Sequence, residues 1–472
     1  MIGSIVTHPV FGRGQILELR NAGRDATVRF ENGIRAVVQV NMLTVVEAAK
    51  TTAPPRPIVA PRVEVALTPE QEQRIAARRT IEALRYGVVP HKRIKELSAG
   101  LDQERASLNR AFDGVAHQGG DVRVILGEYG QGKSHFFELA AQEALERNFL
   151  VVQTSLDLRE VPPNRPQRIY NSLLHSLRYP DSSDTGTLAP LFERILSDAN
   201  IYAPLMEKIK GTEFSAALYN YSLLRETPGE NLNQLLNWIS GEKIYISAIR
   251  KAMPAKQKEF PVRALSTMTT SADQYCYLLS GLGWIAQQAG YAGLAVLLDE
   301  SEHYSLLNER GQERADNFFR ALMYTSLAAR ADCKLGEAQL QHHTNPTPFR
   351  FQDRSQLLVM FAVTPSASTF DYQRWLHEDQ IIALTANLDA AALEDLMARL
   401  YVLHRQAYGY DRSEQFLDIS EGLLECLEGR LINLRQTIRL ATEIYDLCFV
   451  HQDYSATQAV GELRKVMLGR LA

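Results

Sequence analysis

The eight residues GEYGQGKS, from Gly127 to Ser134, constrain this chain more than any other stretch. They match the spacing G-x-x-x-x-G-K-[ST] at every defined position and directly follow the apolar run VRVIL. Glycine lets the backbone N–H groups of such a loop point inward at a phosphate chain, because no Cβ blocks the turn. The helix predicted for HFFELAAQEALER places its N-terminus against the same anion. The stretch therefore predicts a strand, a phosphate-binding loop and a helix, in that order.

The motif also assigns roles to its polar side chains. We expect Lys133 to reach the β- and γ-phosphates of a nucleotide and Ser134 to hold Mg²⁺. The other residues expected to line the nucleotide are Gly127, Glu128, Tyr129, Gly130, Gln131, Gly132 and His135. An ordinary glycine turn that matches the motif by chance is the alternative interpretation.

A second chemical signal is the run LAVLLDE, an aliphatic stretch that ends in Asp299 and Glu300. We expect this strand to lie beside the phosphate-loop strand, with Asp299 orienting Mg²⁺ and Glu300 polarising the attacking water. Glu302 is the second choice for that base, because it already lies beyond the strand end. The alternative is that these acids belong to a solvated loop.

Two more residues are candidates for contact with the terminal phosphate. Thr364 ends the strand-like run LLVMFAVTPS, where its hydroxyl can hydrogen-bond the attacking water; a turn-forming Thr-Pro is the alternative. Arg435 begins a C-terminal helix and can reach the phosphates from there, although a charge at a helix start is usually solvated. The arginines that follow the LLDE strand are candidates for a finger supplied by a neighbouring subunit: Arg310, Arg314, Arg320 and Arg330.

Other polar clusters have simpler interpretations. His342 and His343 lack a Cys or acidic residue at a useful spacing, so a polar loop is favoured over a metal site. The basic residues between Arg74 and Lys95 are interpreted as a salt-bridged helix surface, with phosphate contact as the alternative.

The chain of 472 residues exceeds what one hydrophobic core usually organises, so several domains are expected. Residues 1–46 alternate apolar and polar side chains around a hairpin signal, which indicates a small antiparallel β unit. Residues 47–67 are rich in proline and indicate a semi-rigid linker. In residues 68–375 strands alternate with helices, which predicts an α/β core with a parallel sheet. A helical insertion is expected over about 180–270, and helices are expected over 376–472.

Composition narrows the class of protein. Fifty-one basic and fifty-five acidic residues give a net charge of −4, so any surface for nucleic acid or membrane would have to be local. The four cysteines are too widely spaced for a CxxC motif. We interpret them as small hydrophobic residues of a protein in a reducing compartment. The N-terminus has no basic stretch before an apolar core, and the longest apolar tract is interrupted by polar residues. We therefore expect a cytoplasmic protein without a membrane span.

The order of GEYGQGKS, a long helical insertion, LLDE, a strand ending in Thr and a helix beginning near Arg435 resembles an AAA+ ATPase of the origin-recognition and STAND-related branch. That resemblance implies a P-loop AAA+ core with a C-terminal helical lid. It also implies that the segment containing RYGVVP seats adenine, with Val88, Val89 and Pro90 as wall residues, so that the cofactors are ATP and Mg²⁺.

More narrowly, RYGVVP, GEYGQGKSHF and LLDESEH resemble the ATP-binding proteins of BREX phage-defence systems, the BrxD-like group. The resemblance covers roughly residues 75–470 and implies an ATPase encoded beside a large helicase. Separately, VTHPVFGRGQILEL followed by ATVRFENGIRAVV resembles the SH3/Tudor-like barrel of UvrD-type helicases and CarD-like factors. In those relatives the barrel is a protein interaction module.

These observations lead to one main hypothesis and two alternatives. The main hypothesis is an ATP-hydrolysing AAA+ switch of a BREX-like system that forms a homo-oligomer and assembles with a helicase or nuclease, contacting DNA directly or through that partner. One alternative is a nucleotide-binding scaffold with negligible turnover that recruits its partner through the N-terminal barrel. The other is a DNA loader or transcription regulator outside defence.

Overall fold

The computed structural model describes residues 3–20, 24–47, 67–90, 93–253, 260, 262–365, 370–384, 390–427 and 434–469. It divides into two compact units, Met1–Thr68 and Pro69–Ala472. Most of the stretch expected to be a linker, residues 48–66, lies outside the described residues. Within the described residues, no helix is both long enough and apolar enough to cross a membrane.

The first unit is a five-stranded antiparallel sheet, as the alternating pattern predicts. Its strands are β1 (Ile5–His8), β2 (Gly12–Arg20), β3 (Asp25–Phe30), β4 (Arg35–Gln39) and β5 (Thr44–Glu47), arranged in the order β4-β3-β2-β1-β5. Val6, Val28 and Phe30 are buried on one side and form its small core. Gly33 has φ +85° in the turn between β3 and β4, a conformation that glycine adopts without strain.

The second unit contains a five-stranded sheet whose strands are all parallel. The strands are β6 (Gly120–Leu126), β7 (Phe149–Ser155), β8 (Gly293–Asp299), β9 (Leu357–Val363) and β10 (Ile381–Ala383). The helices of this unit are α1 (Pro69–Arg85), α2 (Asp102–Gln118), α3 (Lys133–Glu146), α4 (Pro166–His175), α5 (Ala189–Ser197), α6 (Ala199–Lys208), α7 (Glu213–Leu224), α8 (Glu230–Ile239), α9 (Ile246–Ala252), α10 (Ala272–Gln288), α11 (Glu309–Leu327), α12 (Ala390–Tyr408), α13 (Phe416–Leu427), α14 (Leu434–Val450) and α15 (Ala456–Gly469).

The sheet forms because its strands are apolar along their whole length. Every residue of β8 and of β9 is buried, as expected for parallel strands covered by helices on both faces. Side chains on the two faces belong to two separate hydrophobic cores, one with α4, α10 and α11 and the other with α2 and α3. The predicted α/β architecture is therefore confirmed. The sequence analysis missed β10, which has only three residues and is too short to show a pattern.

The order of the strands corrects one expectation. We expected the strand ending in Asp299 to lie beside the phosphate-loop strand, and this is wrong: the order is β10-β6-β9-β8-β7. β9 pairs with β6 on one side and with β8 on the other. The chain returns from β8 through α11 and inserts β9 between the two strands. Thr364, at the end of β9, therefore lies between the phosphate loop and the carboxylates.

Helices account for the remainder of the second unit. Five helices, α5 to α9, separate α4 from α10, where the sequence indicates a helical insertion. The C-terminal helices α12 to α15 share a hydrophobic core that is separate from the two cores of the sheet. Ala77, Ile81 and Leu84 of α1 are buried in that same core, so α1 packs with helices that follow it by more than three hundred residues.

Candidate functional site

The phosphate loop connects the end of β6 to the first residue of α3. Gly130 and Gly132 have φ angles of +83° and +92°, which other residues rarely adopt. A Cβ on Gly127 would lie 3.2 Å from the Lys133 Cγ, so the loop closes tightly over its own lysine. The Gly127 N–H donates to the Val363 carbonyl at 3.2 Å and anchors the loop to the end of β9.

Lys133 is buried beneath this loop, with 7% of its side chain exposed. Its Nζ donates to the Gly127 carbonyl at 2.8 Å and to the Thr364 Oγ1 at 2.7 Å. The Thr364 hydroxyl in turn donates to the Glu302 carboxylate, whose Oε1 is 3.8 Å from the Lys133 Nζ. Three residues from three segments of the chain therefore form one connected polar group.

A second polar group lies at the end of β8. The Ser134 Oγ donates to the Asp299 Oδ2 at 2.8 Å, and the Asp299 Oδ1 accepts the Glu300 N–H at 2.9 Å. Burial raises the pKa of Asp299, while the hydrogen bonds from Ser134 and Glu300 and the charge of Lys133 oppose that rise. Among the described residues, no cluster of three His, Cys, Asp or Glu side chains is placed to hold a metal ion by itself.

Glu300 occupies a strained backbone position, with φ +55° between β8 and the 3-10 helix Ser301–Leu306. Burial raises the pKa of Glu300, and the negative charges of Glu302 and Asp299 raise it further. Strained backbone and a raised carboxyl pKa both favour a chemical role, since a base works best when its pKa is near the operating pH.

One cleft brings most of the predicted site residues together. The space between its lining residues and in its open mouth together amounts to about 1230 Å³. The lining residues that the sequence analysis singled out are Val88, Val89, Pro90, Glu128, Tyr129, Gly130, Gln131, Gly132, Lys133, Ser134, His135, Glu300 and Arg435. Gly127, Asp299 and Thr364 do not line the cleft. Each hydrogen-bonds a residue that does: Gly127 and Thr364 accept from Lys133, and Asp299 accepts from Ser134.

Much of the cleft lining is apolar. It includes Leu84 of α1, Leu396 of α12 and Ile438 of α14, together with the Val88–Pro90 segment. His135 also lines the cleft, and its Nε2 is 2.9 Å from the Ser98 Oγ. Burial lowers the pKa of His135 to about 4, so the ring is neutral at pH 7. A flat, weakly polar base fits such surroundings, whereas a charged group does not.

Arg435 reaches the phosphate loop from the start of α14. Its guanidinium lies 5.1 Å from the centre of the Tyr129 ring, and its Nη1 donates to the Tyr129 hydroxyl at 2.9 Å. Tyr129 is itself 69% exposed at the tip of the loop. The C-terminal helices therefore contact the phosphate loop directly, through one cation and one aromatic ring.

Other candidates from the sequence are engaged within the chain. Arg320 pairs with Asp316 at 2.9 Å, and Arg330 pairs with Asp332 at 2.8 Å. His342 lies 3.3 Å from both Asp273 and Glu337.

The basic residues near α1 likewise contact the C-terminal helices, as a salt-bridged surface predicts. Arg78 donates to the Ala407 carbonyl at 2.8 Å, and Arg85 pairs with Asp446 at 2.7 Å.

A comparison with protein-family models gives one match, described as BREX system ATP-binding protein BrxC/D, over residues 73–203 and 200–463. The chain belongs to this family. The matched ranges include all residues that line the cleft, and the resemblance to BREX ATP-binding proteins is confirmed at this level. ATP is therefore the expected ligand of this BREX family member. No curated protein matches the chain.

Proposed function

We propose that this BREX protein is a cytoplasmic, Mg²⁺-dependent AAA+ ATPase that uses its nucleotide state as a switch. One observation carries the proposal: a buried lysine, a serine–aspartate pair and a glutamate with a raised pKa lie in or beside a cleft whose other lining residues are largely apolar. That combination fits a nucleotide, with its polyphosphate near the polar groups and its base against the apolar residues.

In this proposal the phosphates of ATP lie on the loop from Gly127 to Gly132 and on the N-terminus of α3. Lys133 moves from Gly127 and Thr364 to the β- and γ-phosphates. Glu300 accepts a proton from the attacking water, and Thr364 hydrogen-bonds that water from the end of β9. Adenine packs against Val88, Val89 and Pro90.

Mg²⁺ would be held by Ser134 and, through its water shell, by Asp299. Hard oxygen donors of this kind suit Mg²⁺, which keeps several waters and needs few protein ligands. The 2.8 Å contact between the two side chains supports this assignment, since it already sets two oxygens side by side next to the phosphate loop. When bound, the ion neutralises charge on the β- and γ-phosphates.

The C-terminal helices supply the moving part of the switch. Arg435 contacts the loop residue Tyr129, and a phosphate bound to that loop would attract its guanidinium. We propose residues 376–472 as a lid whose closure over MgATP orders Arg435 and a surface for homo-oligomer assembly, and whose opening follows hydrolysis. The ATPase core spans residues 68–375 with its helical insertion.

Assembly with a helicase or nuclease partner, on DNA, is the output that we propose for the switch. The first unit, whose small antiparallel sheet suits an SH3/Tudor-like barrel, is the proposed recruiting module, joined by the linker at 47–67. This division assigns chemistry to the second unit and partner choice to the first.

ATP turnover by wild type and by Glu300→Gln, with and without DNA, tests the proposal. We expect Glu300→Gln to lower kcat by about 100-fold or more, because the general base is removed. ATP should also produce a larger assembly in light scattering of the same samples. ATP binding without Glu300-dependent turnover would instead favour the scaffold with negligible turnover.

A further inference from the structure

The proposed mechanism leaves one buried acid at the site unused, Glu302. Only 12% of its side chain is exposed, and it lies in the 3-10 helix that follows β8. Its Oε1 is engaged by Thr364, but its Oε2 is buried without a hydrogen-bond partner among the described residues. An orphaned carboxylate oxygen costs folding free energy, so stability does not explain why a glutamate stands here.

The donor and the acceptor of each hydrogen bond between Lys133, Thr364 and Glu302 can be assigned. An ammonium group can only donate, so the Thr364 Oγ1 accepts the 2.7 Å bond from the Lys133 Nζ. The single proton of the Thr364 hydroxyl is then donated to the Glu302 carboxylate. Glu302 thereby determines which way the threonine hydroxyl is turned.

We propose that Glu302 is a positioning residue that fixes the Thr364 hydroxyl as a hydrogen-bond acceptor. Lys133 occupies the acceptor lone pair when no nucleotide is bound, and the attacking water occupies it once Lys133 has moved to the phosphates. This inference rests on the proposed ATPase function and deepens it.

The attacking water has two protons, and its lone pair must face the γ-phosphate. One O–H of the water donates a hydrogen bond to Glu300, which accepts that proton as the water attacks. The other O–H donates a hydrogen bond to Thr364 and keeps its proton, so the water can orient in only one way. Without Glu302 the hydroxyl is free to rotate and donate to the water. A donated proton would compete for the lone pair that attacks phosphorus.

Glu302 also opposes nucleotide binding. To reach the phosphates, Lys133 must give up its bond to Thr364 and move away from a carboxylate oxygen only 3.8 Å from its Nζ. Removing Glu302 lowers that cost and removes a negative charge from a site that receives an anion. The inference therefore requires opposite effects on turnover and on affinity, which a merely damaged fold would not produce.

The experiment compares wild type with Glu302→Ala, Thr364→Val and the double variant. It measures kcat with Mg²⁺ and ATP, and the equilibrium affinity for a non-hydrolysable ATP analogue. We expect each single variant to lower kcat about tenfold and the double variant to lower it no further, because the two residues act as one unit. Glu302→Ala should bind the analogue several-fold more tightly.

Three further variants serve as checks. Glu309→Ala removes an exposed acid in the first turn of α11 and should leave kcat and affinity within about twofold of wild type. Thr364→Ser keeps the hydroxyl and should stay within about threefold of wild-type kcat. If Glu302→Ala does not fold, Glu302→Leu keeps much of the side-chain volume without a hydrogen-bond acceptor, and the same directions are expected.

Additive losses in the double variant, unchanged kcat in Glu302→Ala, or weaker binding of the analogue would each overturn the inference. Failure of the proposed function is distinguishable from these results. Wild-type protein without Glu300-dependent turnover would overturn the ATPase and this inference together, whereas normal turnover that ignores Glu302 overturns this inference alone.

Discussion

At the scale of single residues, the charges around Glu300 predict how turnover depends on pH. Burial and the negative charges of Glu302 and Asp299 raise the pKa of Glu300, while Lys133 and His303 oppose that rise. In the proposed mechanism Glu300 is the general base and must be deprotonated to act, so we expect turnover to fall on the acid side as Glu300 becomes protonated. Removing the charge of Glu302 should lower the pKa of Glu300 and move this acid limb to lower pH.

The measurement is kcat against pH for wild type, Glu302→Gln and Glu309→Gln. Glu309 is exposed, so its variant carries the same change in net charge and should keep the wild-type profile. An acid limb that stays in place in Glu302→Gln, or moves to higher pH, would contradict the prediction.

Residue-level prediction from the sequence succeeds where the spacing itself encodes the geometry. Lys133, Ser134 and Glu300 could be picked out because a glycine loop, a helix start and a strand end each fix where a side chain lies. From the sequence, Glu302 is only the second choice as base, because it lies beyond the strand end. Its bond with Thr364 could not be predicted, because Thr364 is 62 positions away in the chain. Glu302 is visible in LLDESEH, shortly after the strand end. Its contact with Thr364 follows only from the strand order, which sets the end of β9 beside the end of β8.

At the scale of elements, the parallel sheet could be predicted and the order of its strands could not. Continuous apolar runs identified β6 to β9, because buried parallel strands carry no alternation. The position of β9 between β6 and β8 depends on how the crossovers pack, which no single run encodes. The packing partner of α1 could not be predicted either, because its apolar face could be covered by the sheet or by the C-terminal helices. In the structure the C-terminal helices cover it.

Asp446 of α14 ties three helices together, and its loss should destabilise them. Its Oδ1 accepts from Arg85 of α1 at 2.7 Å and lies 3.0 Å from the Nε2 of His404, which is fully buried in α12. Burial alone would raise the pKa of Asp446, but these two partners lower it overall. We expect Asp446→Ala to cost about 1–3 kcal/mol, because a buried histidine and an arginine each lose one hydrogen-bond partner.

Thermal or urea unfolding measures this cost, with Asp395→Ala as the matched control. Asp395 lies on α12 and pairs with Arg399 at 2.6 Å, but both side chains are about half exposed, so its loss should cost less than about 0.5 kcal/mol. Because the pKa of Asp446 is lowered on folding, its contribution is present above the ordinary aspartate pKa and is lost as the pH falls below it. Equal stability of the two variants at pH 7 would contradict the assignment.

At the scale of the whole molecule, the two compact units predict a separation of tasks. All residues that line the cleft belong to Pro69–Ala472. Protein that begins at residue 67 should therefore bind ATP and turn it over within about twofold of the full chain, while losing the recruitment that we assign to the first unit. A large loss of ATP affinity on truncation would show that the first unit contributes to the site.

The packing of α1 against α12 and α14 also has a consequence for synthesis on the ribosome. Arg85 and Asp446 are 361 positions apart, and Leu84, Leu396 and Ile438 line the same cleft. At about 5–20 residues per second, α1 leaves the ribosome roughly 20–70 s before α14 has been made. The apolar face of α1 must stay uncovered during that interval, or be shielded by a chaperone. The nascent chain thus exposes its phosphate loop early but completes its nucleotide cleft only after α14 has been made.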